Sequence, residues 1–113
     1  MAEKETVVTH TYDLLKYMIP ILKKYPRTQK FVLADRIQNS LTDILELLIE
    51  AYYTERSEKK HILKKTNIEL EKLRYLIRLS KDMYCINIKR YEYISSKINN
   101  IGIQVGGWQK SIR

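Results

Sequence analysis

Residues 34–53 read ADRIQNSLTDILELLIEAYY, and their spacing decides the fold. Ala34, Ile37, Leu41, Ile44, Leu45, Leu48 and Tyr52 recur at steps of three and four, so they share one face at about 100° per residue. Asp35, Arg36, Asn39, Asp43, Glu46 and Glu50 take the opposite face. An apolar stripe opposed by a charged one predicts an amphipathic helix with one side in a core. Thr28 is placed to cap its N-terminus, which sets this helix at about 28–53.

The same period extends in both directions. Upstream, Tyr12, Leu15, Met18, Ile19 and Leu22 predict a helix over about 7–25. Pro20 removes one backbone donor inside it and is expected to kink it without ending it, while Tyr25-Pro26 stops it. Downstream, the polar stretch Thr54 to Lys60 reads as a connection. A third helix over about 57–83 has Ile62, Thr66, Leu70, Leu73, Ile77, Ser80 and Tyr84 on its core line. A second apolar strip, Ile68, Tyr75, Leu76, Leu79 and Met83, runs roughly opposite and calls for a second packing partner, such as another subunit. The fourth helix, about 86–108, carries Tyr91, Ile94, Ile98, Ile101, Val105 and Trp108 in the spacing of knobs-into-holes packing. Gly102, Gly106 and Gly107 thin its other side, where the helix either frays or approaches a neighbour closely.

Three glycines and two prolines leave too little turn chemistry for a sheet of short strands. Four long helices with short connections imply an all-α, antiparallel up-down-up-down four-helix bundle, one domain over residues 1–113.

Charge is distributed unevenly along this frame. Residues 1–55 hold seven Lys/Arg and eight Asp/Glu, and residues 56–113 hold fourteen and five, so the second half supplies all of the net +8. A one-sided basic field suits a polyanion, either nucleic acid or an acidic protein face; the plain alternative is a solvated exterior. Cys85 is the only cysteine, which rules out an internal disulfide and fits a reducing cytoplasm. The polar first eleven residues, with Glu3 and Glu5, do not resemble a signal peptide, and no apolar run is long enough to span a membrane.

The candidate binding residues lie on the last two helices. Arg74, Arg78 and Lys81 fall within about 60° of one another on the third helix, near Asn67 and Glu71. Guanidinium groups one turn apart suit the charge repeat of a phosphate backbone, although Glu71 can neutralise part of the stripe. The fourth helix adds Lys89, Arg90 and Lys97. Lys89, Tyr93 and Lys97 share a face, which puts an aromatic ring between two cations, a pattern compatible with stacking on an unpaired base. The acidic face of the second helix is complementary in sign and offers one route to an oligomer, or is simply solvated.

Catalytic and metal signals are weak. His10 and His61 are the only histidines, and no His or carboxylate pair has ligand spacing on a core face, so no metal, cofactor or catalytic residue is expected. Arg56 and His61 match the Arg-x4-His spacing of the HEPN ribonucleases, but they fall in the polar connection rather than on a late helix.

Several stretches together resemble a known family. They are Tyr12-Asp13-Leu14-Leu15-Lys16, Tyr25-Pro26-Arg27-Thr28-Gln29-Lys30-Phe31, Leu33-Ala34-Asp35-Arg36-Ile37, Leu45-Glu46-Leu47-Leu48-Ile49-Glu50-Ala51, the run from Asn67 to Asp82, Arg90-Tyr91-Glu92, and Ile101-Gly102 with Gly106-Gly107-Trp108. In this order they resemble the four-helix-bundle family that includes the accessory variability determinant (Avd) of diversity-generating retroelements. The resemblance implies a non-enzymatic subunit that assembles as a pentameric ring. It also implies contact with the retroelement reverse transcriptase and its template RNA, in support of error-prone complementary-DNA synthesis. Arg74 and Arg78 match positions carried over from the family as binding residues; Lys81, Lys89, Arg90 and Lys97 rest on the helical wheel alone. The same superfamily includes proteins encoded in intervening sequences of ribosomal RNA genes, and an assembly protein of that type, with no retroelement role, is the alternative.

Overall fold

A computed structural model describes residues 2–112. Its elements are α1 (Ala2–Lys23), α2 (Arg27–Gln29), a π-helical turn (Lys30–Ala34), α3 (Asp35–Tyr53), α4 (Arg56–Asp82) and α5 (Ile88–Ser111). The short α2, the π turn and α3 run on without a break as one rod, so four rods make an all-α four-helix bundle. Each rod packs against two neighbours in the cyclic order α1, α3, α4, α5. The bundle measures 44 × 23 × 19 Å. Its long axis matches α4, whose 27 residues span about 40 Å at about 1.5 Å per residue.

The core consists of the three-four stripes of all four rods. Ile37, Leu41, Ile44 and Leu48 meet Leu63, Leu70, Leu73 and Ile77, with Ile94, Ile98, Ile101, Val105 and Trp108 from α5. Leu45 and Tyr52 of the opening stretch are only half-buried. On α1 the buried line is Val7, Thr11, Leu14, Met18, Ile21 and Leu22, one step round from the expected one, and Tyr12 is exposed. Thr11 is admitted to the core because its hydroxyl donates to the Val7 carbonyl at 2.8 Å, and Thr66 and Ser80 do the same to Ile62 and Leu76.

Helix ends also depart from expectation. α1 runs through Pro20, which lies on the exposed side, and ends at Lys23. Thr28 is not a cap: Pro26 occupies the N-cap of α2, and no side chain caps it. The π turn widens the start of the second rod, burying Leu33 and Ala34 while leaving Phe31 81% exposed. Tyr84 is not a core residue; it is 92% exposed and sits at φ 63°, in the left-handed region. There the Cys85 N–H bonds the Ser80 carbonyl (2.8 Å) and the Tyr84 N–H bonds the Lys81 carbonyl (3.0 Å), a Schellman ending to α4 built without glycine.

Candidate nucleic-acid interface

α4 begins at Arg56 and α5 at Ile88, and the groove between them takes the first group of cations. Arg74 reaches across it. Its Nη1 lies 2.8 Å from Glu71 Oε1, and its Nε donates to Asn99 Oδ1 of α5 at 3.1 Å. The guanidinium rests against Gly102, where a Cβ would come within 2.7 Å of Nη2. Of the two alternatives for these glycines, Gly102 is therefore the close approach, and the helix frays at neither Gly106 nor Gly107, since α5 continues to Ser111. Arg74 acts as a strut between two helices, with about a third of its side chain in solvent (35%). Further along the same groove, Asn67 Nδ2 donates to Gln109 Oε1.

Lys81 is held in a similar way, its Nζ 4.7 Å from the centroid of Tyr91 and 3.4 Å from Asp82 Oδ1. Arg78, between the two, is exposed and makes no ion pair among the described residues. These pairs are surface contacts worth at most about 1 kcal/mol each, so they orient the cations without cancelling their field.

Lys89 and Arg90 lie in the first turn of α5, where Asn87 caps the helix by accepting the Arg90 N–H at 2.8 Å. Cations beside the positive end of a helix dipole are locally unfavourable by about 0.3–1 kcal/mol each, and they concentrate positive potential at that end. Lys97 lies on the other flank of α5, towards α1, with its Nζ 5.2 Å from the Tyr93 centroid. Tyr93 in turn packs on Tyr17 of α1, ring centroids 4.9 Å apart and tilted by 52°.

The six cations thus fall on two flanks. Arg74 and Lys81 reach α5, with Arg78 exposed between them on α4, while Lys97 belongs with Tyr93 and α1; about the α5 axis Arg90 lies about 20° and Lys89 about 80° from Lys97. The α1 contribution was missed in the sequence, although His10, Asp13 and Tyr17, at steps of three and four, carried the signal. Across the bundle, Asp43, Glu46, Glu50 and Glu69 line an opposite, acidic groove with Lys65 as its cation.

Other chemistry is sparse. Arg56 and His61 both stand on α4 rather than in a connection, both exposed and about 140° apart around the helix. Among the described residues no three His, Cys, Asp or Glu gather as a metal site, and no helix is long and apolar enough to cross a membrane. Burial raises the Tyr25 phenol above its ordinary pKa, partly offset by the Ser80 hydroxyl, and burial also raises the Cys85 thiol.

Fold and site together define a basic four-helix bundle whose excess of positive charge lies on its last two helices. A model of the bAvd-like family matches residues 6–112, nearly the whole chain. The chain belongs to that family. No curated protein matches it.

Proposed function

We propose that this chain is a non-enzymatic accessory subunit of a diversity-generating retroelement. It binds the reverse transcriptase and the template RNA, or another nucleic acid, through the cations of α4 and α5, and so supports mutagenic complementary-DNA synthesis. One observation carries the reading: Arg78, Lys89, Arg90 and Lys97 have no carboxylate partner among the described residues, and Glu92 is the only acidic residue of α5. Unpaired cations that repeat along a rod bind a phosphate backbone by releasing its counterions. Membership of the bAvd-like family supports the accessory role.

The reading includes self-assembly. Ile68, Tyr75, Leu79 and Met83 form an exposed apolar line on the outer side of α4. A second copy would cover that line, and the resemblance of the sequence implies a ring of five. Several copies of one weak basic patch, held together, gain affinity by multivalency. The work would be that of a scaffold, raising the local concentration of template and enzyme.

The test is a salt titration of RNA binding with Arg74→Ala plus Arg78→Ala, paired with co-purification of the reverse transcriptase. The double variant is expected to lower affinity and to reduce the slope of log affinity against log salt by about one for each phosphate that is no longer neutralised. Unchanged RNA binding and co-purification at physiological salt would remove these two residues from the interface. An absence of RNA binding by the unaltered protein at low salt would remove the nucleic-acid role.

A further inference from the structure

Between α1 and α5 lies a cleft of about 200 Å³, with core residues at its floor and His10, Asp13, Tyr17, Tyr93, Lys97 and Asn100 around its walls. A small-molecule site commonly needs about 300–1,000 Å³. This cleft therefore suits one ring system of a larger ligand, the remainder lying outside.

The walls are chemically divided. Tyr93 is exposed and presents an aromatic face, its ring packed at a tilt on Tyr17, which lines the same cleft. Lys97 rests over that ring, but an exposed lysine on a flexible stem yields the face at small cost and then stands beside whatever extends out of the cleft. Gln104 Nε2 lies 2.7 Å and Asn100 Nδ2 3.5 Å from His10 Nδ1, so two amides of α5 hold the His10 ring in the wall of the cleft. Asp13 is exposed at the rim and forms no ion pair among the described residues. A free carboxylate repels phosphate and seeks two adjacent N–H donors. Guanine is the base that offers two adjacent donors, at N1 and N2; adenine and cytosine set an acceptor beside their amino group.

We infer that this cleft is a subsite for one unpaired guanine of a single strand, stacked on Tyr93 and read by Asp13, with its phosphates directed outward to Lys97 and Lys89. The inference rests on the nucleic-acid reading above and narrows it: the α4 groove tracks the backbone, while the α1–α5 cleft takes a base. A strand, rather than a free nucleotide, fits because the cleft holds only a ring, while Lys97 stands at its wall and Lys89 lies about one turn beyond Tyr93 along α5.

The experiment compares three probes on the full chain: a 12-nucleotide uridine strand, the same strand with one central guanosine, and a 12-base-pair RNA duplex. The single guanosine is expected to strengthen single-strand binding about fivefold or more, and Tyr93→Leu to weaken the guanosine strand by about tenfold while duplex binding stays unchanged. Tyr93→Phe keeps the ring and keeps the affinity, and Asp13→Asn abolishes the guanosine preference. Melting curves confirm that each variant is folded. The subsite is overturned if Tyr93→Leu weakens duplex and single strand alike, if it weakens neither, or if the preference survives Asp13→Asn. Guanosine monophosphate binding as tightly as the guanosine strand would overturn the strand assignment. Loss of the subsite with duplex binding intact leaves the parent reading standing; no binding of any probe at low salt removes both.

Discussion

At the scale of single residues, two tyrosines are held in states that have an energetic cost. Tyr84 adopts φ 63° to close the Schellman ending of α4. A left-handed non-glycine residue costs about 1–2 kcal/mol, and glycine returns part of that by loosening the unfolded chain. Tyr84→Gly is therefore expected to stabilise the fold by about 0.5–1 kcal/mol, read from the midpoint of urea unfolding. The position was illegible in the sequence, because a helix stop without glycine carries no stop signal and Tyr84 falls in step with the core line. Tyr25 has a buried hydroxyl without a partner at bonding geometry, and burial raises its pKa above 10.0. In the unfolded chain this phenol ionises near 10.0, whereas in the fold it keeps its proton to higher pH. Its contribution to stability is intact below pH 10 and is lost as pH rises through the folded value. Cys85, raised above 9.0, adds a loss of the same sign that begins about one unit lower. The melting temperature should fall on the alkaline side, and Tyr25→Phe should fall less steeply above pH 10 than the unaltered chain.

At the scale of elements, the three glycines of α5 separate two roles that composition cannot. A Cβ at Gly106 or Gly107 meets nothing within 4 Å, so each carries only the helix-propensity penalty. Gly107→Ala should stabilise the protein by about 0.5–1 kcal/mol, measured by denaturant unfolding. Gly102→Ala gains the same propensity but displaces the Arg74 guanidinium from Asn99, so its net effect on stability should stay within about 0.5 kcal/mol of zero. Its mark should instead be a freed Arg74 side chain, visible in the NMR signal of its Nε–H. The bundle itself was legible because every rod repeats its apolar residues at three-four spacing. The α1 stripe was misread by one residue because Thr11 satisfies its own hydroxyl inside the helix, so a polar residue fills a core position and the apolar pattern points to Tyr12 instead. The basic stripe of α4 could be drawn on a wheel. Its division from Lys97 could not, because that depends on which helix flanks each side of α5.

At the scale of the whole molecule, two features offer an interface for the proposed assembly. One is apolar: Tyr75, 62% exposed, lies between Ile68 and Leu79 on a side of α4 that no other helix of the bundle covers. The other is electrostatic, with the carboxylates of Asp43, Glu46 and Glu50 on one side and the cations of α5 on another. Salt distinguishes them, because the Debye length shrinks from about 10 Å at 0.1 M to about 3 Å at 1 M, while burial of apolar surface is not weakened by screening. If the α4 line is the interface, light scattering should give a multiple of the 13.6 kDa chain mass at both salt concentrations. Tyr75→Ser with Leu79→Ser should then give a folded monomer, since both side chains lie outside the core and their loss opens no cavity. Dissociation of the unaltered protein at 1 M salt would move the interface to the charged faces. A double variant that keeps the full assembly mass would show that the exposed line of α4 is turned towards something other than a second copy.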